Sequence, residues 1–125
     1  QLSGAVKAEY DAAPPSKRPV EIIVDSNGFG AGVLDRLREL GLPARGLNVS
    51  ERAMAKQTYL NLRAELWFKC KAWLENMDVS LPKDDALYSE LVAPRYMFTS
   101  SGKIQVESKD SMKKRGVRSP DRLVG

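Results

Sequence analysis

The spacing of apolar positions changes several times along the chain, and each change marks an element. Residues 2–12 mix small apolar and charged positions and stop at Pro14-Pro15, which predicts a helix followed by the polar link Ser16-Lys17-Arg18-Pro19. Residues 20–24 are a near-continuous β-branched run, predicted as an interior strand of a parallel sheet, buried on both faces and ending at Asp25. Helical spacing takes over at once: Val33, Leu34, Leu37 and Leu40 form one stripe, which Gly41 and Pro43 end. Residues 45–49 suffice for a second strand. Strand, helix and strand then make a βαβ unit with a parallel pair.

The second half reads differently. Leu62, Leu66, Cys70, Trp73 and Met77 fall on one face of a long helix, predicted to be its core side. A shorter helix is predicted over residues 84–91, with Asp84 or its neighbour as N-cap. Residues 95–100 and 103–107 flank Ser101-Gly102, a two-residue hairpin turn by its chemistry. In the second of these strands Ile104 and Val106 should face one way, Gln105 and Glu107 the other. Residues 108–115 are weakly helical, and Ser119-Pro120 has the form of another helix start.

Composition narrows the chemistry. A chain of 125 residues with 42% hydrophobic and 29% charged positions fits one soluble globular domain. No apolar run approaches the ~20 residues that span a bilayer, and no signal-peptide pattern is present, so a cytosolic setting without membrane is expected. The lone Cys70 reads as a small buried core residue. The chain has no histidine, which removes imidazole acid–base catalysis, histidine zinc sites and Ser-His or Cys-His nucleophiles together. Carboxylates with a hard cation remain.

The charge is unevenly placed. Between residues 103 and 122 stand the cations Lys103, Lys109, Lys113, Lys114, Arg115, Arg118 and Arg122 against Glu107, Asp110 and Asp121, an excess equal to the +4 of the whole chain. This basic C-terminal segment, residues 103–125, points to a polyanion partner, or else to a solvated helix end.

The stretch after Asp25 admits several readings. Gly28, Gly30 and Gly32 give G-x-G-x-G, the wrong spacing for a dinucleotide fingerprint, and no Walker lysine follows. An anion at the following helix N-terminus, a metal on Asp25, and a strand-to-helix corner with no ligand all remain open.

A resemblance separates them. Asp25-Ser-Asn-Gly-Phe-Gly-Ala-Gly-Val-Leu-Asp-Arg-Leu resembles the middle acidic motif in the nuclease domain of tailed-phage terminase large subunits, the DNA-packaging motors. The likeness continues in order through Asn61-Leu-Arg-Ala-Glu-Leu-Trp, Leu81-Pro and Gly102-Lys-Ile-Gln-Val-Glu-Ser-Lys109, and ends in Lys113-Lys-Arg-Gly-Val-Arg-Ser-Pro-Asp121-Arg122. It implies an α/β, RNase H-like mixed sheet flanked by helices, and a two-metal endonuclease that cuts concatemeric DNA, using Mg²⁺ or Mn²⁺. Asp25 and Asp121 would then be the catalytic and metal-binding acids, Asp121 in vestigial form. Lys109, Lys113, Lys114, Arg115, Arg118 and Arg122 would meet double-stranded DNA, with other terminase and portal components as ancestral partners in a bacterial cytoplasm.

The sequence departs from that family pattern in two places. The family has an aspartate on a first strand ahead of the helix at residues 2–12, and this sequence begins at Gln1 with no such strand. The family also continues from S-P-D-R to a second aspartate, where Val124 stands here. The expectation is therefore a prophage-derived partial nuclease domain, incomplete in its first strand and catalytically deficient. Glu107 is the acid most suited to fill the gap. A non-catalytic DNA-binding or accessory module is the alternative, and an unrelated α/β phosphate binder is a third.

Overall fold

The computed structural model describes residues 1–118, which leaves the helix start expected at Ser119-Pro120 outside the described residues. The chain divides into two compact units, residues 1–48 and the residues from 49 onward.

In the first unit the order is α1 (Leu2–Ala12), a single 3-10 turn (Pro15–Lys17), β1 (Ile22–Asp25), α2 (Gly30–Glu39) and β2 (Ala44–Leu47). The C-terminus of α1 is closed by one side chain. Arg18 donates to the carbonyls of Tyr10, Asp11 and Ala13 at 3.1–3.2 Å, supplying donors to groups that have no helical partner. β1 and β2 pair in parallel, Ile22 opposite Ala44 and Asp25 opposite Leu47, as the βαβ reading requires. α2 ends in a Schellman turn: Gly41 at φ +77° sends its N–H to the Arg38 carbonyl, and Leu42 sends its own to that of Leu37. The stripe of α2 buries Leu34 and Leu37, the latter at 1% exposure. Leu37→Ala should therefore cost about 2–5 kcal/mol, through lost burial and the void left behind. Urea denaturation, read as a lower midpoint at unchanged slope, measures it.

The expectation of a strand buried on both faces is corrected. Among the described residues β1 has one partner strand, and its burial alternates: Ile22 and Val24 are half-buried while Ile23 is 55% exposed. An apolar run records which residues tolerate burial, and α2 packs on β1 and β2 to cover only the alternate positions.

The second unit runs α3 (Leu62–Asn76), α4 (Asp85–Val92), β3 (Tyr96–Phe98), β4 (Ile104–Val106) and α5 (Lys109–Lys114). Asn61 caps α3 through the Ala64 N–H at 3.0 Å, and Asp84 caps α4 through the Ala86 and Leu87 N–H groups at 3.0 and 3.3 Å. β3 and β4 pair antiparallel, Tyr96 opposite Val106, and Tyr59 adds a parallel bridge to Ile104. The expected mixed sheet is thus represented by a parallel pair and a separate antiparallel pair. The hairpin loop is also longer than its turn chemistry suggested. The Thr99 N–H meets the Lys103 carbonyl at 2.8 Å, so Ser100, Ser101 and Gly102 form a three-residue loop with Gly102 at φ +82°.

α3 overturns the expected core stripe. Leu66, Trp73 and Met77 are 38%, 48% and 61% exposed, and Cys70 is only half-buried. The buried residues of α3 are Ala64 and Glu65, and half-buried Phe68 meets Tyr59 at a tilt and Tyr96 edge-to-face, at ring separations of 6.0 and 5.3 Å. The inward face is rotated because it serves a carboxylate as well as apolar groups. Glu65 is buried, accepting the Met54 and Ala55 N–H groups at 2.9 and 2.8 Å, which fixes the turn ahead of the helix.

Candidate functional site

Asp25 lies where the β1 strand ends, opposite Leu47 in the ladder, and its side chain is exposed. The chain then reverses tightly. One Asp25 oxygen accepts the Asn27 N–H at 3.1 Å, and Gly28 takes φ +60°. Gly30 is the indispensable member of the glycine trio. A Cβ there would sit 1.6 Å from the Asp25 carbonyl oxygen, whereas one on Gly32 would meet nothing within 4 Å. Gly30→Ala should displace the Asp25 backbone and destabilise the fold by about 1–3 kcal/mol. Gly32→Ala, inside α2, should be neutral or stabilising by about 0.5–1 kcal/mol. Thermal melts of the two variants shifting in the same direction would contradict this division.

The first amides of α2 are engaged within the turn, Gly30 to the Asn27 carbonyl at 3.3 Å and Ala31 to that of Gly28 at 3.5 Å, so the phosphate reading gains no support. A groove of about 490 Å³ in the second unit is lined by Trp67, Phe68, Leu74, Tyr88 and Tyr96. Its walls are mainly apolar, with Lys71, Glu75 and Arg95 also lining it.

The donor set for a metal ion is thin. Among the described residues no three His, Cys, Asp or Glu side chains come together in a group that could hold one. Asp25 offers one exposed carboxylate, and Mg²⁺ demands near-octahedral oxygen ligation. Asp121 and Arg122 lie outside the described residues. The described residues do not fit a two-metal centre.

Glu107 is placed in quite another role. It is buried, and both its oxygens accept from Arg115, Nε to Oε2 and Nη2 to Oε1, each at 2.7 Å. The Arg95 N–H adds a bond at 3.3 Å, and Arg63 Nη2 donates to the Glu107 carbonyl at 3.1 Å. Arg115 first, then the Arg95 N–H, hold the Glu107 carboxyl below its ordinary range despite burial, and Glu107 in turn raises Arg115. The two backbone bonds, Ala55 first, depress Glu65 likewise. A depressed carboxyl stabilises the fold above its ordinary value near 4.5 and loses that contribution as pH falls through the lower folded value. Melting temperature should therefore hold near neutrality and fall below about pH 4.5. Glu65→Gln should start lower at neutral pH and respond less to acid.

The basic segment divides by direction. Lys113, Lys114 and Arg118 are exposed, Lys109 is half-buried at the first position of α5, and Arg115 turns inward to Glu107. Sequence reading grouped all of these as one cationic face. It missed the pairing of Arg115, although an acid before a short helix and an arginine just after it are a legible signal for such a bridge.

The nuclease domain of the large terminase subunit gp2 of bacterial virus Sf6 matches this structure with TM-score 0.66 and 18% identity, covering 96% of this chain and 64% of that one. A mutant of that domain with manganese matches with TM-score 0.67 and 17% identity, over 96% and 65% of the two chains. The same mutant with calcium also gives 0.67 and 17%, over 96% and 64%. The fold is similar to that of a phage terminase nuclease domain. The expected RNase H-like α/β class therefore holds, on a chain spanning about 64% of the solved domain's length. No protein-family model and no curated protein matches the sequence. No helix among the described residues is long and apolar enough to cross a membrane.

Proposed function

We propose that the chain is a terminase-type nuclease domain of prophage origin that holds double-stranded DNA through α5 and does not by itself cut it. The observation that carries DNA binding is the outward pair Lys113 and Lys114, on a helix whose other side is anchored by fully buried Met112. Anchored lysines present charge to phosphates without the full ordering cost of a floppy tail. The fold likeness supports the nuclease ancestry. In this reading the domain works in a bacterial cytoplasm alongside the motor and portal components of a packaging complex.

Asp25 would give one ligand to Mg²⁺ or Mn²⁺, with Asp121 as its partner by resemblance. Val124, standing where the resemblance calls for a second aspartate, supports a DNA-holding role over catalysis. A mobility-shift assay at low salt tests the proposal. Unrelated duplexes should be retarded alike, and an absence of any shift at micromolar protein would reject the proposal.

A further inference from the structure

α5 spans six residues, Lys109–Lys114. A helix this short is unstable alone, since isolated helices below about 12 residues are marginal in water. Besides the burial of Met112, its ends must therefore contribute. At the start Ser108 accepts the Ser111 N–H at 3.1 Å. At the end Gly116, at φ +78°, donates to the Lys113 carbonyl and Val117 to that of Met112, a Schellman turn. The Glu107–Arg115 bridge then joins the residue before the N-cap to the C-cap residue itself, spanning the helix from outside.

The bridge also fastens the helix to its surroundings. Arg115 Nη2 reaches the Ala93 carbonyl at 2.8 Å, just past α4, while Glu107 exchanges bonds with the Arg95 backbone at the start of β3. A planar guanidinium with two parallel bonds fixes orientation as well as distance. Lys113 and Lys114 stand on the exposed side of the helix so held.

We infer that Glu107 and Arg115 are positioning residues, a clamp that aims the lysines of α5 at DNA phosphates; the inference rests on the DNA-binding reading above. Arg115 contributes no phosphate contact of its own, and Glu107 is needed for binding although it carries the same charge sign as DNA. The two roles predict opposite signs for one substitution. Glu107→Gln removes an anion near a polyanion, so it should strengthen binding if Arg115 were a phosphate contact held back by the bridge. If the bridge is a clamp, binding should weaken.

The test uses the full chain, a fluorescein-labelled duplex followed by anisotropy, and hydrogen exchange over residues 108–117. Glu107→Gln is expected to lower affinity roughly fivefold, to flatten the salt dependence, and to release the protected amides of Arg115 and Val117. Tighter binding overturns the clamp, as does unchanged binding with those amides released. Should Glu107→Gln fail to fold by circular dichroism, Arg115→Lys keeps the charge and loses the fork; it must weaken binding in the same direction, and equal affinity overturns the inference. A wild-type chain that leaves the duplex unbound rejects the DNA reading and the clamp's role with it. Wild-type binding that Glu107→Gln leaves intact rejects the clamp alone.

Discussion

Replacing Lys113 and Lys114 together by alanine is expected to lower affinity for duplex DNA on the order of 10- to 100-fold at low salt. Each lysine that neutralises a phosphate releases a condensed counterion, and the slope of log K against log salt shrinks by ~0.9 for every phosphate no longer neutralised. Removing both lysines should reduce the slope by about 1.8. The fold should survive, because both side chains are exposed and neither holds the helix ends. Arg115→Ala is a different experiment. It strips a buried carboxylate of its partner, so it should lower the melting temperature by on the order of 10 °C, which the lysine variants should not do.

The second large effect is an absence. The 125-residue polypeptide is expected to leave supercoiled plasmid intact with Mg²⁺ or Mn²⁺, at rates indistinguishable from metal alone. Two-metal hydrolysis needs several carboxylates converging on cations about 4 Å apart. Asp25 is exposed with one oxygen on a backbone amide, Glu107 is committed to Arg115, and Val124 stands where the resemblance calls for an aspartate. Nicking that appears with Mn²⁺ and vanishes in Asp25→Asn would contradict this, and would require another acid of the chain or a second copy of it to complete the site.

Much of the local structure was legible because local rules govern it. The end of α2 followed from Gly41, the start of α4 from Asp84, and the parallel pair from a strand, helix and strand too close in sequence for any other crossover. Burial was less legible where polar groups share the interior. The stripe through Leu66, Trp73 and Met77 has the period of a core face, yet α3 turns Ala64 and Glu65 inward because Glu65 is needed by the turn at Met54 and Ala55. Glu107 was expected opposite Ile104 and Val106, on a polar face; it is buried because Arg115 compensates its charge, a partner eight positions away. Hydrophobic periodicity registers cost, and a paired carboxylate removes the cost without changing the letter.

The glycine turn shows the same limit at the candidate site. Three glycines read alike in sequence, but only close approach to the Asp25 carbonyl separates Gly30 from Gly32. The basic segment likewise reads as uniform charge, and the direction of each side chain emerges only from its tertiary partners.

The most direct test of the account is the affinity of the wild-type chain for two duplexes of unrelated sequence, measured across a series of salt concentrations. A phosphate-reading cationic face predicts equal affinities and a log–log slope of about −2 to −3, since two or three exposed cations each contribute ~0.9. A strong preference for one sequence, or affinity that does not respond to salt, would contradict it.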